Sequence, residues 1–234
     1  PDVNIEAAHA RLQIPANPKD LVEVAVTHLE REPNGVVSFG QGCEGEPLVQ
    51  GPVLEATVRG IRERTSAGVI NLNSNASLPK VVAQLAEAGL DAMRISVNSL
   101  REPYYNRYYR PSGYTLADVL QSAREMSSRG RFVSLNYFVF PGVSDSPAEI
   151  ESLCAFIEAG GITMIQLRNL NIDPELYLRE LGEGAVEDPI GIVPFIHTLR
   201  ARFPKLRFGY YNPPRTRQGR PGPLPGANLA PLYA

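Results

Sequence analysis

The stretch Val36-Val37-Ser38-Phe39-Gly40-Gln41-Gly42-Cys43-Glu44-Gly45-Glu46-Pro47 runs from an apolar, strand-like segment straight into three glycines and two carboxylates. Glycine reaches positive φ and lets the backbone come close to a ligand, so such a strand end suits a small-molecule site. It equally suits a tight strand-to-helix loop with solvated glutamates, and this stretch alone does not separate the two.

Working outward, the same strand-then-helix unit recurs. Strand-like apolar runs fall at residues 36–39, 69–72, 92–97, 132–140, 162–167 and 206–211, with helical patterns at 18–31, 53–64, 78–88, 115–129, 147–159 and 190–201. Strands alternating with amphipathic helices pair in parallel through right-handed crossovers. The reading is an α/β fold: a partial (βα)6-type TIM-like barrel of parallel strands with outer helices, with a doubly wound sheet as the alternative. Thr115 is placed to cap one helix, and Ser146-Pro147 puts proline in the first turn of another with Glu149 behind it. Residues 1–212 read as the barrel domain. Residues 213–234 are dominated by proline, glycine and arginine and read as a tail with no packed core of its own.

A chain of 234 residues, 43% of them hydrophobic, can bury one large core, and α/β barrels commonly run as a single domain at this size. A net charge of −2 gives no electrostatic case for nucleic acid or an anionic membrane surface. Two cysteines, Cys43 and Cys154, are too few for a disulfide framework and fit a reducing, cytoplasmic setting. No apolar run approaches the roughly 20 residues that span a bilayer.

In parallel βα architectures ligands sit at the carboxyl ends of the strands. Here those ends are polar. The second strand runs into Asn71-Leu72-Asn73-Ser74-Asn75, and the third carries Arg94, Ser96 and Asn98 on one side against Ile95 and Val97 on the other. Because side chains alternate along a strand, this polar side is a candidate lumen wall. The fourth strand ends in Phe140-Pro141-Gly142-Val143-Ser144-Asp145, and the fifth carries Gln166, Arg168 and Asn169. Five polar strand ends in register imply a binding site. His9, His28 and His197 have no metal-ligand spacing and read as surface or helix-face histidines. The tyrosines of residues 104–109 read as packing between a strand and its helix, with an aromatic nucleic-acid platform as the rarer alternative. Asp145 and Glu149 read as first-turn carboxylates favouring a helix dipole, with an acid/base pair as the rarer alternative.

Taken in order, these strand ends resemble the radical S-adenosylmethionine (SAM) enzymes, over about residues 36–174. Glu44-Gly45-Glu46-Pro47 is similar to the family's Gly-Gly-Glu-Pro motif, Ser74-Asn75-Ala76 to its Thr-Asn-Gly, and residues 94–98 to its fourth-strand serine motif. Tyr109-Arg110-Pro111 resembles an Arg-Pro that often follows, and residues 140–145 the next strand-end loop. The resemblance implies that Gly45 and Glu46 hold the methionine amino group, beside Asn75 on the neighbouring strand end. Ser96, Asn98 and Arg110 would meet the ribose or carboxylate, and the segment from Gln166 to Asn169 would lie near the adenine. It implies a [4Fe–4S] cluster, an external electron donor, and a 5′-deoxyadenosyl radical that takes hydrogen from a substrate the sequence does not reveal.

One departure stands out. The family's Cys-x3-Cys-x2-Cys loop is absent, and Cys43 alone cannot hold a cluster. With Pro1 as its first residue, the chain reads as a fragment whose missing strand and cysteine loop lie upstream, binding no cluster and no metal by itself. Two alternatives remain at this stage, a cluster-free barrel enzyme of aldolase or isomerase type and a non-catalytic nucleotide-binding scaffold. Lys19, Lys80 and Lys205 are the only lysines and none ends a strand, which disfavours Schiff-base chemistry.

Overall fold

The computed structural model describes residues 14–32, 34–40, 45–169, 172–210 and 212. Cys43, Glu44, His9 and the segment 213–234 lie outside them. Among the described residues six strands form one parallel sheet: β1 (Val36–Phe39), β2 (Val69–Ser74), β3 (Ala92–Val97), β4 (Phe132–Val139), β5 (Met164–Asn169) and β6 (Arg207–Phe208). Their spatial order is their chain order. A doubly wound sheet reverses direction at a switch point, so sequential order decides for the partial barrel.

Helices α1 (Pro18–Arg31), α2 (Gly51–Arg64), α3 (Pro79–Ala88), α5 (Leu116–Ser127), α6 (Pro147–Gly160) and α8 (Ile192–Arg202) occur where the periodicity places them, to within a few residues. A 3-10 turn, Pro47–Gln50, leads into α2. Two further helices, α4 (Glu102–Tyr109) and α7 (Pro174–Leu181), were not expected from the sequence pattern. The tyrosine-rich segment read as packing is α4, and Tyr104 and Tyr105 are indeed buried. The last strand has two residues rather than the six expected. Local signals fix the helix starts. Asn17 accepts the Lys19 N–H at 3.1 Å, Ser146 accepts that of Glu149 at 3.3 Å, and the Asp118 carboxylate accepts from both the N–H and the hydroxyl of Thr115.

Strand alternation divides the core in two. Ile70, Leu72, Met93, Ile95, Val97, Val133, Leu135, Tyr137 and Ile165 face the helices and form one continuous apolar layer with Val22, Val26, Leu29, Val58, Ile61, Val82 and Leu85. Each such buried aliphatic side chain contributes ~1.5–3 kcal/mol. The opposite parity faces the lumen. Near the amino ends of the strands, Val69, Ala92, Phe132 and Met164, with Val36 against them, close the lumen with an apolar floor. Outside that floor Asp91 accepts the Ile70 N–H at 2.8 Å and pairs with Arg62, whose guanidinium also donates to the carbonyls of Thr65, Ala67, Gly68 and Gly89. The floor is thus sealed, and the lumen opens toward the carboxyl ends.

Candidate functional site

Above the floor the lumen-facing residues turn polar. Ser38 and Asn71 face each other across β1 and β2, Asn73, Arg94 and Ser134 follow across β2, β3 and β4, and Ser96, Asn136 and Gln166 across β3, β4 and β5. Their amides form a partial network. Asn71 Nδ2 donates to Ser38 Oγ at 2.7 Å and to Asn73 Oδ1 at 3.1 Å, while Asn73 Nδ2 donates to the Gly40 carbonyl at 3.2 Å. Asn136 Nδ2 reaches Ser96 Oγ at 3.4 Å. Three buried acceptors on this wall, Asn71 Oδ1, Asn136 Oδ1 and Gln166 Oε1, have no partner among the described residues. Buried acceptors left unmatched are costly, and a ligand that donates hydrogen bonds would satisfy them.

A cavity of about 520 Å³ rests on this wall and is rimmed by Gly40, Gly45, Glu46 and Pro47 after β1, by Asn75 after β2, and by Tyr109, Arg168 and Tyr210. The volume suits a drug-sized or nucleoside-sized ligand. Gly40 has φ +91°, and a Cβ there would sit 2.1 Å from the Asn73 carbonyl oxygen, so only glycine lets the loop leave β1 this close to β2. Glu46 is the only carboxylate on the rim among the described residues. Its Oε1 accepts the Leu48 N–H at 3.0 Å and the Ser74 hydroxyl at 2.7 Å, and its Oε2 accepts the Asn75 N–H at 2.8 Å. Three of about four acceptor positions are taken, which fixes the group and leaves one position for an incoming cationic donor.

The residues singled out in the sequence divide. Gly45, Glu46, Asn75, Ser96 and Gln166 come together on the cavity. Asn98 lies one residue beyond β3, fully enclosed, and its Nδ2 donates to the Tyr104 carbonyl and the Tyr177 hydroxyl at 3.3 Å each. Arg110 takes the left-handed conformation at the end of α4, φ +47°, and pairs with Glu180 on α7. Asn169, exposed at the end of β5, is not on the cavity wall. The wall gains Asn136, Tyr109 and Tyr210. Asn136 had a visible signal, since Ser134 and Asn136 alternate with Val133, Leu135 and Tyr137. Burial pushes the Tyr109 hydroxyl pKa well up, so that ring meets the cavity as a neutral group.

Residues 10–156 match the Radical SAM superfamily. The chain belongs to that superfamily. Similar proteins include the probable GTP 3',8-cyclase of Thermococcus kodakarensis, 34% identical over 135 residues that make up 56% of this chain and 41% of that one. The protein of the same description from Methanosarcina acetivorans is 33% identical over 113 residues, 47% of this chain and 33% of its own. The chain thus spans under half the length of these curated relatives. Among solved structures, Streptococcus suis SuiB superposes with a TM-score of 0.57 at 14% identity, covering 86% of this chain and 44% of that one. A radical SAM methyltransferase from Sphaerobacter thermophilus gives 0.54 at 20% identity, covering 85% and 58%. At such identities the superpositions show the fold, a radical SAM barrel.

The two groups that membership implies fare differently against these residues. A cavity with a fixed carboxylate, glycine-opened backbone and unmatched amide acceptors fits the ammonium, adenine and ribose donors of S-adenosylmethionine. The [4Fe–4S] cluster does not find its ligands in these 234 residues, which hold two cysteines. Cys154 is buried in α6 in the layer between sheet and helices, where desolvation pushes its thiol pKa up. Among the described residues no three His, Cys, Asp or Glu side chains are grouped to hold a metal ion. None of the described helices is long and apolar enough to cross a membrane.

Proposed function

We propose that this barrel binds S-adenosylmethionine for radical chemistry on a separate substrate. The observation that carries the reading is the Glu46 cluster: a carboxylate locked by Leu48, Ser74 and Asn75 at the cavity rim, beside the open backbone of Gly45. Glu46 would take the methionine ammonium on its remaining acceptor position, with Asn75 beside it. Ser96, Asn136 and Gln166 offer hydrogen-bond partners for the nucleoside. When bound and reduced, S-adenosylmethionine supplies a hydrogen-abstracting 5′-deoxyadenosyl radical; the barrel's own part is to bind, orient and exclude water. The cluster and its electron donor belong to the proposal as partners whose ligands this sequence does not contain. The curated relatives' description suggests a purine nucleotide as one class of substrate to test. A Schiff-base aldolase is disfavoured because Lys19 and Lys80 lie in the first turns of α1 and α3 and Lys205 in the turn before β6, away from the cavity wall.

Titration calorimetry of the chain with S-adenosylmethionine and S-adenosylhomocysteine tests this directly. Saturable binding is expected for both, weakened by about 1–3 kcal/mol in Glu46→Gln, the scale of one charge-assisted hydrogen bond. Absence of binding by the folded chain, or equal affinity in the variant, overturns it.

A further inference from the structure

Arg94 is a buried cation without a carboxylate. The residue is 5% exposed on the lumen wall, and among the described residues it makes no ion pair. Nη1 reaches Asn73 Oδ1 only at 3.5 Å, Nε has no partner, and the Tyr210 ring lies over the guanidinium at 4.4 Å. Its neighbours across the ladder, Asn73 and Ser134, are neutral, and the floor nearby is apolar. Glu46 has three of its acceptor positions filled and forms no pair with it. The contrast is Arg62, where the same chain buries an arginine for structure and surrounds it with Asp91 and four carbonyls. Desolvation lowers the Arg94 pKa from its ordinary value, yet a guanidinium stays charged at neutral pH.

An uncompensated buried charge costs several kcal/mol, and an arriving anion removes that cost. We infer that Arg94 is the anchor for a carboxylate or phosphate group of the substrate, gripped through the guanidinium fork with Tyr210 as its cover. Arg168, exposed on the same wall, adds positive charge at the mouth. Calling the anion the substrate's rests on the S-adenosylmethionine reading, because that molecule also carries a carboxylate. Arg94 stands two residues nearer the floor than Ser96, which favours the substrate as the source.

The test observes arginine Nε–H resonances in the labelled chain, with the Arg94 signal assigned by its loss in Arg94→Lys. Acetate and inorganic phosphate are titrated at constant ionic strength, alone and again with saturating S-adenosylhomocysteine. A saturable shift of the Arg94 signal by at least one anion, retained in the presence of S-adenosylhomocysteine, is expected. No saturable shift overturns the anchor, and a shift that S-adenosylhomocysteine abolishes reassigns it to the cofactor's carboxylate. If S-adenosylhomocysteine leaves the Gly45 and Asn75 amides unmoved while the anion response persists, the cofactor reading fails and the anion site stands. Arg94→Gln should lose at least tenfold in anion affinity without a fall in thermal stability. Unchanged anion affinity together with lowered stability would make Arg94 structural.

Discussion

At the scale of single residues, Glu149 is the plainest case of chemistry used for structure. It is fully buried in the first turn of α6, and its carboxylate accepts Ser99 Oγ–H at 2.5 Å, Leu100 N–H at 2.8 Å and Tyr137 O–H at 2.8 Å. It therefore ties the loop after β3 to the outer face of β4. Glu149→Ala leaves three donors unmatched and should cost about 3 kcal/mol in urea unfolding, whereas Gln keeps a carbonyl for Leu100 and should lose far less. Burial raises the carboxyl pKa above its ordinary 4.5 despite those donors. The folded state then holds the proton more tightly than the unfolded one. The stability this contributes is complete below the unfolded pKa and is lost as pH rises through the folded one. Wild type should accordingly lose stability relative to Glu149→Gln as the pH rises above 4.5, and a pH-independent difference would refute it. In the sequence this residue reads as a first-turn carboxylate favouring the helix dipole, because its position is visible there and its burial is not. The site has the same pattern. Arg94, Ser96 and Gln166 are legible from period-two alternation, while Asn98 continues that alternation one step past the point where the strand ends. Tyr210 reaches Arg94 across more than a hundred residues, a contact no local pattern records.

Among the elements, α4 and α7 are where sequence reading fell short, and for different reasons. Glu102–Tyr109 carries four tyrosines, which suit strands as well as helices, so its helical character comes from packing rather than propensity. Pro174–Leu181 carries a usable signature: Asp173 accepts the Leu176 N–H at 2.8 Å, Pro174 opens the first turn, and Gly182 follows the end. The two helices meet over the end of β4, where Tyr104, Phe138, Phe140, Tyr177 and Leu181 form a second apolar cluster apart from the main layer. Tyr177 sits at its centre, its ring 5.1 Å from both Phe138 and Phe140 and 5.6 Å from Tyr108. Tyr177→Ala should cost about 3–5 kcal/mol by leaving a cavity. Tyr177→Phe keeps the ring packing and gives up one 3.3 Å bond with Asn98, so about 1 kcal/mol is expected. Equal losses for both variants in chemical unfolding would show that the hydroxyl, rather than the packing, holds α7 in place. The main-layer helices were legible because each presents apolar residues at helical spacing, as Val22, Ala25, Val26 and Leu29 do on α1.

Across the whole molecule, the sheet is strongest in its middle and weakest at the edges that flank the cavity. β4 shares six register pairs with β3 and six with β5, whereas β1 shares four with β2 and β6 only two with β5. Helices α5 and α6 bury the outer face of the centre, leaving Val133, Leu135 and Ile165 with no exposure, while β1 and β6 are mostly half-buried. Among the described residues neither edge strand has a second neighbour, so each can open without breaking the rest of the sheet. Amide hydrogen exchange should therefore separate two levels of protection. Amides of β3 and β4 should exchange roughly a hundredfold more slowly than those of β1 and β6, which corresponds to about 2.8 kcal/mol of additional opening free energy. Uniform protection across all six strands would mean that the barrel opens as one unit and that its edges are held by contacts the strand pairing does not reveal. The cavity gives the difference a direction, because two of its lining residues, Gly40 and Tyr210, follow β1 and β6. A ligand that bridges the Glu46 rim and the Arg94 wall touches both edges, and should slow exchange there more than at the already protected centre.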